Sequence, residues 1–274
     1  MSEPSDTPPA RRFERTELAR LRAMRSALLP DGLPERPALD MASCFLPADA
    51  DVGGDFFVVA GRGECTVFVL GDVVGRGLDA ALRAAYVRTL LAGIIRFEQD
   101  PARVLTLTNN ALLVDSTERT DFITAVCLTY TPSRQEVAWS LAGHPPPLRL
   151  DDGSPLGDGE LPSPPLGIAD DFAPETRTAE LPPGAGLLLY TDGVVEARRG
   201  DDFYGDDRLG AALTSLRGAD PAGLVEGIRD DVQRFAGTEF NDDVCMLALR
   251  ALATVAEGDA EEVCSPDLMS GFSG

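Results

Sequence analysis

Aspartates placed where apolar runs end are the residues of this sequence best suited to chemistry. Asp55 follows Gly53 and Gly54 and precedes the apolar run 56–59, while Asp72 follows the run 66–70 and opens a turn spaced by Gly75 and Gly77. Asp192 comes directly after the run 187–190 and Thr191, and Asp242 and Asp243 stand before the run 244–249. Carboxylates gathered at one site repel one another and are driven toward protonation unless a cation neutralises them. The chain holds a single histidine, His144, and five cysteines (Cys44, Cys65, Cys127, Cys245, Cys264) without CxxC spacing. Oxygen ligands therefore dominate, and a hard cation, Mg²⁺ or Mn²⁺, suits them better than zinc. Two such ions about 3.5–4 Å apart, bridged by one carboxylate, activate a water for in-line attack on a phosphate. Spacing alone leaves a second reading open, in which these are polar residues of turns and helix caps, where Asp is common.

The surrounding pattern predicts the elements that would position them. Residues 39–46 read as a strand, and Gly61 and Gly63 mark a hairpin between 56–59 and the strand delivering Asp72. Residues 78–97 read as a long helix with Leu82, Ala85, Tyr86, Leu90, Gly93, Ile94 and Phe97 as its apolar stripe. Asp100 and Pro101 read as an N-cap and first position opening a second helix to about residue 114. Residues 122–130 and 136–141 form a plausible pair of strands joined by TPSRQ, and 186–190 a buried strand; 151–180 and 198–204 read as loop. A short helix follows over 207–216, and Asp220 caps a last one whose Leu224, Ile228, Val232 and Phe235 recur about every fourth residue. Strands, two helices, strands, helices and a strand are not a βαβα alternation. The expected class is α+β, with helices covering sheets paired mainly antiparallel.

Composition bounds the partners. The 274 residues suit one folded domain, here 31–250, preceded by a proline-rich disordered stretch (1–12) and an amphipathic helix (13–30), and followed by an acidic disordered tail (251–274). The helix carries Leu18, Leu21 and Leu28 and must lie either on its own domain or against a second copy, making a homodimer. A net charge of −21 disfavours nucleic acid and anionic membrane surfaces while suiting divalent cations. No apolar run approaches the ~20 residues that span a bilayer. The amino-terminal stretch lacks the apolar core of a signal peptide, so a cytoplasmic protein with reduced thiols is expected.

Six segments carry a resemblance: VGGDFF (52–57), GDVVGRGLDAA (71–81), AGHPPPL (142–148), LLLYTDGVVEAR (187–198), YGDDRL (204–209) and NDDV (241–244). Together and in this order they resemble the SpoIIE/RsbU-type branch of the metal-dependent (type 2C, PPM) serine/threonine protein phosphatases, over roughly residues 17–250. The resemblance implies a sandwich of two antiparallel β-sheets flanked by helices, with two Mn²⁺ or Mg²⁺ ions at one end. It casts Asp72 as the aspartate bridging both ions, Val73 as the donor of a backbone carbonyl, Asp55 as serving the metal site and Asp192 as a ligand of the first ion. Asp242 aligns best with the remaining liganding position, with Asp243 as the alternative. Asp55, Asp72 and Asp192 are the expected catalytic set.

The sequence also departs from the family pattern. Val58 stands where a second acidic residue is frequent, Arg76 replaces a lysine, and Val74 occupies the place of a histidine that serves better-known relatives as a general acid. His144 reads more readily as fixing a loop than as catalytic, and neither Arg76 nor Arg83 is assigned to the phosphate. The implied activity is hydrolysis of phosphoserine or phosphothreonine by attack of metal-activated water. The implied substrate is a phosphorylated STAS-domain anti-anti-sigma protein in bacterial partner switching, with a separate activator acting through the leading helix. A non-catalytic binding module of the same fold and a hydrolase of small phosphate esters are the alternatives.

Overall fold

Strands that are apolar on both faces need cover on both sides, and four layers supply it. The computed structural model describes residues 32–48, 53–115, 122–157, 163–237, 240 and 242–253. In chain order these form β1 (Leu39–Leu46), β2 (Phe56–Arg62), β3 (Cys65–Val73), α1 (Leu78–Ile94), α2 (Pro101–Asp115), β4 (Ile123–Thr131), β5 (Glu136–Ala142), β6 (Leu148–Arg149) and β7 (Arg177–Glu180). There follow β8 (Gly186–Tyr190), β9 (Arg198–Arg199), β10 (Asp202–Phe203), α3 (Gly205–Ser215), α4 (Pro221–Ala236) and β11 (Val244–Ala251). The expected leading helix, the disordered stretch before it, and the tail from residue 254 onward lie outside the described residues.

One sheet runs β1-β11-β8-β6 and the other β2-β3-β4-β5-β7, every pairing antiparallel. This is the α+β sandwich expected from the sequence. The period-2 alternation of β3 sorts its side chains between two cores. Phe68 and Leu70 face the other sheet with Trp139, Leu187, Leu247 and Leu249, whereas Val67 and Val69 pack with Val87, Leu91, Val104 and Leu105 of α1 and α2. On the far side, Leu188, Met246 and Ala248 pack against Leu209, Leu224, Ile228 and Val232 of α3 and α4. The two inner strands thus read as continuous apolar runs because each is buried twice.

Local signals set most boundaries. Asp100 accepts a hydrogen bond from the Arg103 N–H (3.0 Å) ahead of α2, and Asp220 accepts one from the Gly223 N–H (2.7 Å) ahead of α4. The β2–β3 hairpin turns at Gly63 in the left-handed region (φ 59°), pairing Arg62 with Cys65.

Three expectations need correction. The buried face of α1 is Ala80, Ala84, Val87 and Leu91, not the stripe through Leu82, Tyr86 and Phe97, which are 51%, 39% and 81% exposed. Small residues let the helix lie close on its sheet, and the larger ones point away. Residues 177–180, expected as loop, form the edge strand β7 beside β5, and residues 198–203 fold into the β9–β10 hairpin. No helix among the described residues is long and apolar enough to cross a membrane.

Candidate active site

Strand ends from both sheets bring the predicted aspartates together. Asp72 is the penultimate residue of β3, paired across to Thr124 of β4. Asp55 immediately precedes β2, whose Phe56 pairs with Gly71, so the two carboxyls lie within hydrogen-bonding reach of each other. Asp192 follows β8 by one residue beyond Thr191, and Asp242 and Asp243 lead into β11, the neighbour of β8. Asp192, Asp242 and Asp243 act electrostatically on Asp72, and Asp72, Asp243 and Asp242 on Asp55.

Glycines allow this closeness. A Cβ at Gly54 would collide with the Val73 carbonyl oxygen and stand 2.9 Å from Asp72 Oδ1, and one at Gly53 would collide with the Asp243 carboxylate. The Val73 N–H in turn donates to the Gly54 carbonyl (3.3 Å). The GGD turn is therefore seated directly on the end of β3, with the Asp72 carboxylate and the Val73 carbonyl at its surface.

Burial and mutual repulsion govern the charges. Asp55 is 2% exposed, and desolvation followed by the fields of Asp72 and Asp243 holds its carboxyl well above the usual carboxylate range. Asp72 is pushed up to about 7, by desolvation first and then by Asp192 and Asp242. Asp192 and Asp242 are exposed as residues, yet partial desolvation of their carboxyls raises both; Glu196 adds to the first, while the Asp243 N–H counteracts in the second. Carboxyls driven toward protonation, together with a backbone carbonyl, are a donor set whose chemistry fits a hard divalent cation, although no three acidic, histidine or cysteine side chains among the described residues are already set to hold one.

Several supporting residues escaped the sequence pattern. The Thr191 hydroxyl donates to Asp55 Oδ2 (2.7 Å) and accepts from the Cys245 N–H (3.0 Å), a chain of bonds from β11 to the GGD turn. Asp243, 1% exposed, accepts the Ala48 N–H on Oδ1 (2.9 Å), and its own N–H donates to Asp242 Oδ1 (2.8 Å). A threonine ahead of the TDG aspartate was the available signal for the first; nothing local announces the second. His144 is buried between the Thr124 hydroxyl (Nδ1, 2.9 Å) and the Tyr190 carbonyl (Nε2, 3.1 Å), and desolvation lowers its pKa to about 4. It thus ties the strand opposite Asp72 to the strand ahead of Asp192 as a neutral ring. A cavity of about 280 Å³ opens beside Asp242 and Gly193.

Comparisons with known proteins point to one family. The family model described as Stage II sporulation protein E (SpoIIE) matches residues 62–252. Phosphoserine phosphatase RsbU of Bacillus subtilis (strain 168) is 23% identical over 228 residues, covering 83% of this chain and 68% of its own length. The crystal structure of the RsbU and RsbW domains of Rv1364c from Mycobacterium tuberculosis is similar at a TM-score of 0.72 and 28% identity, over 83% of this chain and 64% of that one. The SiaA-PP2C domain of Pseudomonas aeruginosa shares the fold at a TM-score of 0.77 and 20% identity, over 89% of this chain and 99% of its own.

Proposed function

This chain belongs to the SpoIIE family of metal-dependent, PPM-type phosphoprotein phosphatases, and from that premise we propose that it dephosphorylates a phosphoserine or phosphothreonine of a STAS-domain anti-anti-sigma protein. The observation that carries the reading is the meeting of Asp55, Asp72, Asp192 and Asp242 at one end of the sandwich, beside an open cavity. In this reading Asp72, Asp192, Asp242 and the Val73 carbonyl would hold Mn²⁺ or Mg²⁺, with Asp55 serving the same centre. When bound, the cations supply the Lewis acidity that makes water a nucleophile near neutral pH.

The chain's own residues do the rest. Thr191 fixes the orientation of Asp55, and Asp242, exposed where Asp243 is buried, is the carboxylate of the pair assigned to ligate. His144, neutral and bonded through both ring nitrogens, holds backbone rather than moving protons, so the departing serine oxygen takes its proton from solvent. Release of phosphate would let the anti-anti-sigma protein capture its anti-sigma kinase.

The decisive assay follows phosphate release from a phosphorylated STAS-domain protein with Mn²⁺ and with EDTA, for the native chain and Asp72→Asn. Mn²⁺-dependent release lost in the variant is the expected result. Metal-dependent turnover of p-nitrophenyl phosphate without release from the STAS protein would keep the chemistry and reject the substrate. Absence of both in the metal-loaded, folded protein would reject the hydrolase reading.

A further inference from the structure

The acidic centre has a problem its carboxylates cannot solve. A phosphate monoester carries negative charge into a site lined by Asp55, Asp72, Asp192 and Asp242, in a chain whose net charge is −21. Cations at the centre neutralise part of this field, but the outer oxygens of the ester still need donors that hold its orientation. The cavity beside the centre provides them. Among its described lining residues are Arg76 and Arg198, with Glu196, Phe240, Gly193 and Asp242.

Arg76 is the better placed of the two guanidiniums. It sits in the GRG turn between β3 and α1, four residues after Asp72, flanked by Gly75 (φ 106°) and Gly77 (φ 82°). Two left-handed residues in succession around it are what let the chain reverse at the end of β3 and still present a long side chain to the cavity. Its charge acts on the Asp242 carboxyl, which lines the same cavity. Arg198 lines the cavity from the β9–β10 hairpin, where its guanidinium lies 4.1 Å from the Phe203 ring centroid. That hairpin is itself pinned, because Arg199 and Arg208 both stack on Phe235 of α4, at 4.5 and 4.6 Å. Arg198 is thus occupied by an aromatic face, while Arg76 projects its planar donors beside the acidic centre.

We propose that Arg76 is the phosphate-positioning residue: its guanidinium donates to the non-reacting oxygens of a phosphoryl group lodged in the cavity between Arg76, Gly193 and Asp242. This rests on the hydrolase reading only for the identity of the natural ligand, since the binding of a phosphate oxyanion there is a property of the cavity alone. An arginine suits the task because its fork of donors matches phosphate oxygens in a fixed plane, which a lysine ammonium does not.

The test is direct binding of inorganic phosphate to the Mn²⁺-treated full chain, by calorimetry, for the native protein, Arg76→Ala, Arg76→Lys and Arg62→Ala. Arg62 removes the same charge from the far end of β2, where it donates to the Phe97 carbonyl (2.7 Å). The expected result is at least tenfold weaker phosphate binding in Arg76→Ala, partial recovery in Arg76→Lys, and native binding within twofold in Arg62→Ala, with Mn²⁺ affinity unchanged in all. In turnover of p-nitrophenyl phosphate the same variant raises KM more than it lowers kcat. Native phosphate binding in Arg76→Ala, equal losses in Arg76→Ala and Arg62→Ala, or no phosphate binding by the native chain would each overturn the assignment. Arg76-dependent binding by a chain that turns over no phosphoester would uphold it and reject the hydrolase reading instead.

Discussion

The Thr191 hydroxyl stands 2.7 Å from Asp55 Oδ2 and joins the end of β8 in one sheet to the turn preceding β2 in the other. It is the donor that offsets part of the repulsion Asp55 feels in a fully desolvated position. Its own oxygen accepts from the Cys245 backbone, so one side chain serves both a strand and a carboxylate.

Thr191→Val keeps the shape and removes both bonds. It removes the acceptor of the Cys245 N–H and a donor to Asp55, two buried hydrogen bonds whose loss costs about 1–3 kcal/mol each where no water replaces it. Urea denaturation should show that loss of stability, and calorimetric titration a weaker Mn²⁺ affinity. Thr191→Ser should restore most of both. A valine variant as stable and as Mn²⁺-avid as the native chain would show that the bond orders nothing.

The adjacent aspartates divide their work. Asp242 is exposed and faces Asp72 and Asp192, whereas Asp243 is sealed against the Ala48 N–H and the Gly53 backbone. Asp242→Asn should melt within a few degrees of the native chain and lose at least tenfold in Mn²⁺ affinity, about 1.4 kcal/mol. Asp243→Ala should instead lower the melting temperature with EDTA present, by removing the buried carboxylate that accepts the Ala48 N–H. Native Mn²⁺ affinity in Asp242→Asn would move the ligand role to its neighbour.

The pH dependence of the metal-free protein follows from the same crowding. The folded state raises the pKa of Asp72 to about 7 and holds that of Asp55 well above the usual carboxylate range, so it prefers these groups protonated. Their contribution is present at low pH and is lost as pH rises through the folded values. His144 works in the opposite sense, because its neutral form is favoured and that stability is lost only as pH falls below about 6.5 toward 4. Between pH 6.5 and about 7, where Asp72 titrates, the carboxyls therefore decide. In EDTA the melting temperature should fall across that interval, and the stabilisation gained on adding Mn²⁺ should grow. A metal-free protein whose stability is level or rises over this range would contradict the described packing of Asp55 and Asp72.

What the sequence disclosed and what it hid divide along the range of the interaction. Each aspartate was legible because its signal is local, an apolar run followed by Asp and a glycine turn. Thr191 and Ala48 were not, since their partners lie 136 and 195 residues away and no residue type advertises such a bond. The face of α1 was misplaced because hydrophobic size points to Leu82, Tyr86 and Phe97, while close approach to a sheet rewards Ala80 and Ala84. Strand β7 was lost in its polar composition: Arg177, Thr178, Ala179 and Glu180 form an edge with one side toward solvent, so only backbone pairing with β5 marks them as a strand.

Strand β11 comes last in chain order among the described strands and yet lies between β1 and β8. Ser43 finds its partner only in Leu247, and Met246 must also lie beside Tyr190 before Asp192 and Asp242 can face Asp72. During synthesis the first strand therefore waits unpaired until almost the whole domain has left the ribosome. The hairpin carrying Asp55 and Asp72 can form early, but the acidic centre closes only when the final strand slides into the middle of its sheet. A nascent or truncated chain that lacks residues 244–251 contains all five aspartates but not the strand that seats Asp192, Asp242 and Asp243 opposite Asp72.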